Sequence, residues 1–437
     1  MIVNAIIAEY NPLHKGHEYL INMGKKITGA DYTIVIMSGN YVQRGEPAIM
    51  DMSIRTEAAL ICGADLVIEL PHYYSTASAE YFAKGAVALI EKLGVATHLV
   101  FGCEYNNTAL LEDIAAFSIE YEKEIYEIML THMSKGASYP KAESQAICEL
   151  MEINLTGENE NRYPVLSQYS KEELSDILSS PNSTLGICYV KALMSMNSNI
   201  IPVAIERVKS PHDDYSLGAL SSSAIRKELI ENNFAPLKEQ LSGDIYDLYA
   251  DNIDISFPIS IDDLSDILLY KLRSVIYGNG ARVKSNGIIA LCEYLDVSDT
   301  LAARIINNLG SFKSFSQFVA LLKEKSVTYS HISRALLHIV LDIKKSNATK
   351  YIGNDYSLYA RILGFRKEST DIMSEIKEHS SIPMISKLAD AEDLIDDQLT
   401  LKLLSESVNA SELYSYLLSS RFGCEFISEY SRSIVIL

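Results

Sequence analysis

His14 and His17 stand three residues apart around Gly16, directly after the apolar run Ile2–Ile7. Imidazoles at that spacing can share one side of a first helical turn. As hydrogen-bond donors they can hold phosphate oxygens and offset the charge that develops when pyrophosphate departs. The glycine lets a backbone come close to a phosphate. A helix opening there turns unpaired N–H groups, and the positive end of its dipole, toward the same spot. Such catalysis is positional and electrostatic and needs no covalent nucleophile. Two nearby histidines are also compatible with a structural pair, or with a metal site completed by a remote third ligand. Placement at the mouth of a strand favours the phosphate reading. A second string, Ser221-Ser222-Ser223-Ala224-Ile225-Arg226, follows the last strand-like run. Ser222 or Ser223 would cap a helix there, and its free N–H groups with Arg226 would bind β- and γ-phosphates. An ordinary capped helix is the plain alternative.

The elements that must position these residues are legible as patterns. Ile2–Ile7, Tyr32–Met37, Leu66–Leu70, His98–Phe101 and Ile201–Ile205 are short apolar runs rich in β-branched residues. Stretches with helical spacing, such as Gly16–Thr28 and Ile54–Cys62, separate them. Continuous apolar strands alternating with helices predict an α/β fold, a parallel sheet with helices on both faces. Ligands of such sheets sit outside the carboxyl ends of the strands. Residues 120–180 read as a helical excursion with a polar break at Thr156–Arg162. From about Ile230 amphipathic helices dominate: Ile261–Tyr277, Thr300–Leu309, Phe315–Lys325 and His331–Lys344, with a glycine-rich turn at Gly278–Lys284. The expected division is therefore 1–235, the sheet domain, and 236–437, a mainly helical domain. Leu399–Leu437 can either return to the first domain or cap the helices.

The chain has 437 residues, enough for two or three domains. Its net charge of −19 makes it a poor general polyanion binder, so nucleic-acid contact needs a local basic surface. Residues 301–350 supply one: Arg304, Lys313, Lys323, Lys325, Arg334, Lys344, Lys345 and Lys350 against Glu324 and Asp342. A solvated helical face would carry the same charges. The six cysteines are scattered without a C-x-x-C pair, which speaks against a zinc ribbon or a disulfide framework. No signal peptide and no run long enough to span a membrane is evident, so the expectation is a soluble cytoplasmic protein without a membrane partner.

The histidine string after the first strand resembles the HIGH-type nucleotidyltransferase superfamily, and S-x-x-x-I-R resembles the element that closes over its triphosphate. Further strings narrow the resemblance. They are Glu9-Tyr10-Asn11-Pro12, Met37–Ala48 (MSGNYVQRGEPA), Gly63–Pro71 (GADLVIELP), Phe82–Ala86, Phe101-Gly102-Cys103-Glu104, Pro181–Ile187 (PNSTLGI) and Tyr359–Phe365. The last falls in the half expected to be helical. Together they resemble the bacterial tRNA(Met) cytidine acetate ligase family, densely over residues 1–230 and patchily to about 370.

The resemblance implies a Rossmann-like nucleotidyltransferase domain followed by a helical, tRNA-binding one. It implies ATP-dependent activation of acetate to acetyl-adenylate, with Mg²⁺ accompanying the triphosphate. The acetyl group then passes to N4 of the wobble cytidine of elongator tRNA(Met), held by its anticodon arm. His14, His17 and Arg226 would be catalytic. Ile7, Ala8, Glu9, Tyr10, Asn11, Pro12, Leu13, His14, Lys15, Gly16, His17, Glu18, Tyr19 and Leu20 would form the ATP loop, and Gly102, Asn182 and Arg207 would also contact the nucleotide. Their side chains suit these roles. Gly102 leaves room for adenosine, Asn182 offers donor and acceptor, and Arg207 stabilises phosphate charge. Ser38, Gly39, Asn40, Gln43 and Arg44 are candidates for holding acetate or placing the cytidine. The family pattern is departed from at Met52, at 209–215, near Ala302–Ile305 and at Lys325–Arg334. Two other functions fit the same residues: nucleotidyl transfer to another small substrate, or nucleotide and RNA binding without turnover.

Overall fold

The apolar runs become strands because both faces of the central ones find a hydrophobic cover. In the computed structural model these are β1 (Val3–Ala8) and β2 (Tyr32–Ser38), then a short hairpin of β3 (Tyr41–Val42) and β4 (Glu46–Pro47), then β5 (Leu66–Leu70), β6 (His98–Cys103) and β7 (Ile201–Glu206). Three more follow late in the chain: β8 (Ala360–Phe365), β9 (Met384–Ile385) and β10 (Val435–Ile436). Residues 1–155, 161–207, 221–231, 233–235, 237–278 and 284–437 are described. Most of the polar break at 156–162, the departure at 209–215 and most of the glycine-rich turn at 278–284 lie outside the described residues.

The main sheet runs β10-β8-β5-β2-β1-β6-β7, with β9 beside β8. Strands β5, β2, β1, β6 and β7 are mutually parallel, and β8 pairs antiparallel with β5. Alternate residues serve two cores. Ala5, Ile7, Ile34 and Ile36 face one; Ile6, Val35, Met37 and Val67 face the other. A fully covered parallel sheet requires this two-sided burial. The chain order reverses on either side of β1, so a crevice opens at the carboxyl ends of β1 and β6.

Helices α1 (Lys15–Thr28), α2 (Met52–Ile61), α3 (His72–Ser75) and α4 (Ala79–Leu93) alternate with the first strands. Between β6 and β7 lie α5 (Thr108–Glu120), α6 (Glu122–Ser134), α7 (Tyr139–Asn154), α8 (Lys171–Ser179) and α9 (Pro181–Ser195). Helix α10 (Ser222–Ile230) follows, and helices dominate from Gly243 to Ile352.

One element differs from expectation. Tyr359–Phe365 does not belong to a helix; Ala360–Phe365 is β8, paired with the free edge of β5. Its partner lies nearly 300 residues away in sequence, and six residues of apolar pattern cannot name a partner. The C-terminal stretch returns to the sheet. The helix Gln398–Phe422 sends Tyr414 Oη to Ala48 O at 2.8 Å, and β10 pairs with β8.

Candidate nucleotide site at the strand ends

After β1 the chain turns through Glu9–Leu13 into α1, whose N-cap is His14. The cap is built from two imidazoles. His14 Nδ1 accepts the backbone N–H of Gly16 at 3.0 Å, and His17 Nδ1 accepts that of His14 at 3.3 Å. This is the reciprocal arrangement of a capping box, with ring nitrogens replacing the usual oxygens. Gly16 permits it: a Cβ there would stand 2.9 Å from His14 Cε1. The rings lie 4.1 Å apart between centroids and 30° from parallel, and Tyr10 packs edge-on against His17 at 5.1 Å.

The cap sets the protonation state. An Nδ1 that accepts a hydrogen bond carries no proton, so each neutral ring holds its proton on Nε2 and is a donor there. Burial lowers the His14 pKa to about 4, with the positive charge of Arg207 adding to the effect. Burial, His14 and Arg207 push His17 well below its ordinary value. Both rings are thus neutral Nε2–H donors near neutral pH. His14 Nε2 is buried and has no hydrogen-bond partner among the described residues.

The remaining positions of the expected ATP loop differ in what they do. Ile7 and Leu13 are core residues, and Tyr10 and Asn11 are buried. Asn11 Oδ1 accepts the N–H of Ile49 at 2.7 Å, which leaves its Nδ2 buried without a partner among the described residues. Ala8 and Pro12 complete the turn; Glu18 and Leu20 are half-buried, Tyr19 is exposed, and Lys15 Nζ donates to Glu239 O at 2.6 Å. Glu9 Oε1 accepts the N–H of Gln43 at 2.8 Å, and burial raises the Glu9 pKa.

Arg226 reaches this loop, but its guanidinium is engaged there. Nη1 donates to Asn11 O at 2.7 Å, and Nη2 lies 3.5 Å from Glu46 Oε1. The N-cap of α10 is Ser221, which accepts from Ala224, and not Ser222 or Ser223. The serine run shifts the helix start by one residue, a margin that side-chain type alone does not resolve.

Gly102, Asn182 and Arg207 converge from β6, α9 and the end of β7. Arg207 Nη1 donates to Asn182 Oδ1 at 2.6 Å, and a Cβ on Gly102 would touch Arg207 Cγ at 3.2 Å. Glu104 organises the group. Its carboxylate accepts Asn182 Nδ2 at 2.6 Å, Ser183 N at 2.7 Å and Ser183 Oγ at 2.8 Å, capping α9. Burial opposes ionisation of Glu104, but those donors outweigh it and hold its pKa below the ordinary value.

The Ser38–Arg44 segment also faces the strand ends. Asn40 Oδ1 accepts the N–H of Met52 at 2.9 Å; its Nδ2, the Ser38 hydroxyl and Gln43 Nε2 are buried without partners among the described residues. Arg44 is exposed. Gly39 lets Glu69 come close: a Cβ there would stand 2.5 Å from Glu69 Oε1.

Sequence reasoning overlooked the support beneath these loops. Arg55, fully buried on α2, donates to the carbonyls of Glu9 (2.8 Å), Ser38 (2.9 Å), Gly39 (2.5 Å) and Met50 (3.0 Å). It ties the ends of β1 and β2 together. The signal was an arginine beside the apolar positions of the helical stretch Ile54–Cys62. A buried ionic chain, Glu69–Arg361–Glu429–Arg432–Asp51, then links β5, β8, the C-terminal segment and the N-cap of α2.

The basic island is partly neutralised. Arg304 pairs with Glu324 at 2.8 Å, Arg334 with Asp296 at 3.2 Å and Lys344 with Glu293 at 3.2 Å. Lys313, Lys323, Lys325 and Lys350 are exposed, with no ion pair among the described residues. No helix among the described residues is long and apolar enough to cross a membrane.

The comparisons with known proteins agree over nearly the whole chain. A model of the HIGH Nucleotidyl Transferase family matches residues 1–424. The tRNA(Met) cytidine acetate ligase of Halothermothrix orenii is 33% identical, covering 95% of each chain. That of Clostridium acetobutylicum is 34% identical, covering 100% of each. Thermotoga maritima TmcAL bound with alpha-thio ATP superposes with a TM-score of 0.86 at 27% identity, covering 100% of both chains.

Proposed function

The chain belongs to the HIGH nucleotidyl transferase family and, within it, to the tRNA(Met) cytidine acetate ligases, and from that premise we propose how it works. It is an ATP-dependent ligase that acetylates a tRNA cytidine. The acid is acetate and the acceptor is N4 of the wobble cytidine of elongator tRNA(Met). The reaction takes place in the cytoplasm, where that tRNA is found.

The observation that carries this reading is the imidazole cap. Two neutral Nε2–H donors at a helix N-terminus, beside Arg207, suit a triphosphate at the end of β1. A carboxylate oxygen of acetate attacks the α-phosphorus, and pyrophosphate leaves with the bonding pair. His14 and His17 donate to the oxygens that gain charge. The cytidine amine then attacks the acetyl carbonyl carbon, AMP leaves, and the amine gives up a proton. That amine is a weak nucleophile, so orientation carries the second step. Ser38, Asn40 and Gln43 offer unpartnered polar atoms for the acid and the base.

Arg226 acts by holding Asn11 in this scheme, and Asn182 and Arg207 hold the nucleotide. A Mg²⁺ bound to the triphosphate would screen its charge. Among the described residues no group of three acidic, histidine or cysteine side chains is placed to hold a metal ion, and the triphosphate oxygens would supply ligands to one that accompanies ATP. Residues 1–235 carry the adenylation chemistry. Within 236–437, the exposed Lys313, Lys323, Lys325 and Lys350 meet the anticodon arm.

The test is exchange of labelled pyrophosphate into ATP as a function of the added acid. Acetate-dependent exchange, followed by tRNA-dependent AMP release that weakens as salt rises, is the expected result. Exchange with a different acid but not acetate would replace this reading with adenylation of another substrate. Tight ATP binding without exchange would replace it with a binding protein.

A further inference from the structure

A cavity of about 530 Å³ lies between α3–α4 and the helical half, and its lining shares no residue with the nucleotide cradle. Its volume falls in the range of about 300–1,000 Å³ typical of small-molecule sites, which favour boundaries between structural units. From the sheet side come Tyr74 and Tyr81; from the helical side come Asp296, Ser298, His331 and Lys345. Tyr74 is 2% exposed, and its hydroxyl has no hydrogen-bond partner among the described residues. Tyr81 is 42% exposed, with Lys84 Nζ 5.9 Å from its ring centroid. Asp296 is held by Arg334 Nε at 3.2 Å and lies 3.8 Å from His338 Nδ1. Lys345 Nζ donates to Val297 O at 2.7 Å.

These groups match the parts of a nucleoside. Tyrosine rings stack on a base of any identity. A fixed carboxylate accepts from an exocyclic amine or a ribose hydroxyl, and a lysine meets the adjoining phosphate. We propose that the cavity takes one unpaired nucleoside of the RNA substrate, flanking the target cytidine, with its base against the tyrosines and Asp296 accepting from its amine or ribose hydroxyl. The inference rests on the reading of this protein as a tRNA-modifying enzyme. Single-stranded loop bases can be splayed into such pockets, the usual route to RNA recognition.

The cavity is also joined to the strand-end site. Its His331 lies on the helix Tyr329–Val340, which also sends Ser333 Oγ to Gly45 O at 2.8 Å. Gly45 takes a φ of +78°, and a Cβ on it would stand 2.3 Å from Arg334 N. The helix therefore seats directly on the loop that holds Gln43 against Glu9. A base bound in the cavity fixes this helix and, through it, the Gln43–Gly45 loop.

The test compares wild type, Tyr81→Ala, Tyr81→Phe and Lys345→Ala as full-length proteins. Each binds a fluorescent anticodon stem-loop of elongator tRNA(Met), intact or made abasic at one loop position at a time. Tyr81→Ala is expected to weaken binding of the intact stem-loop roughly 5- to 150-fold, the loss of one stacked base, and Tyr81→Phe to restore it. Lys345→Ala should weaken binding and lower its salt dependence. One abasic position other than the target cytidine should weaken wild type equally and leave Tyr81→Ala unaffected. Acetate-dependent pyrophosphate exchange should stay within about twofold in all variants, because none of them touches the nucleotide cradle. Stem-loop affinity of Tyr81→Ala matching that of wild type, or losses that add at every abasic position, would overturn the inference alone. Failure of wild type itself to bind or acetylate the RNA would remove both the inference and the functional reading beneath it.

Discussion

Arg207 donates to Asn182 Oδ1 at 2.6 Å while the nitrogen of the same amide donates to Glu104 at 2.6 Å. The amide is therefore held in one orientation between a cation and a carboxylate, which ties β6, β7 and α9 into one face of the crevice. An aspartate at this position would keep the Arg207 contact but set a second carboxylate against Glu104. Asn182→Asp should weaken ATP binding about 10- to 100-fold, the range for losing a charged hydrogen bond, and more than Asn182→Ala does. Equilibrium dialysis with ATP measures this, and equal affinity in Asn182→Asp and wild type would remove Asn182 from the nucleotide site.

The histidine cap predicts a pH dependence of stability with a definite sign. The folded pKa of His14, about 4, lies below the ordinary value of about 6.5, so the unfolded chain binds the extra proton first. The associated stability is present in full above about pH 6.5 and is lost as pH falls toward about 4, on the order of 3 kcal/mol in all. His14→Asn keeps a good helix cap without a titrating group. It should flatten part of the slope of urea stability between about pH 4 and about pH 6.5. An unchanged slope would show that His14 is not the buried neutral ring described here.

The same substitution separates stability from chemistry. His14→Asn and His17→Ala should each slow acetate-dependent pyrophosphate exchange about 10²- to 10³-fold, the cost of losing one donor to a charge-developing oxygen. Exchange close to the wild-type rate in a folded His14→Asn protein would exclude His14 from that role.

Arg55 is expected to matter for the scaffold before it matters for the reaction. Arg55→Met leaves the carbonyls of Glu9, Ser38, Gly39 and Met50 buried without their donor. The stability loss should exceed about 3 kcal/mol by urea denaturation. Arg55→Lys retains a charge but not the planar fork, and should recover only part of the loss.

Gly45→Ala places a methyl group where Arg334 N stands and forces a side chain onto a φ of +78°. It should lower stability by about 2–4 kcal/mol. In the fraction that folds, the tRNA-dependent step should fall more than pyrophosphate exchange, because the contact broken joins the helical half to the loop. Equal effects on both steps would argue against that coupling.

The five parallel strands were legible in the amino-acid order, since strands covered on both faces are predominantly apolar, the edge strand β7 keeps an apolar run, and the helices between them keep their own period. So was the position of the histidine pair, because a strand followed by Asn-Pro-Leu-His-Lys-Gly-His has only one place to turn. Other features depended on partners far away in the chain. Strand β8 exists because the edge of β5 was free, and the C-terminal segment returns because Arg432 reaches Asp51 at 2.8 Å. The burial of His14 and His17 beside Arg207, the engagement of Arg226 by Asn11 and the pinning of four carbonyls by Arg55 are likewise tertiary. Local pattern reports which face of an element is buried. Which donor meets which acceptor there is decided by the folded chain, because a buried polar group is stable only with its partner in place.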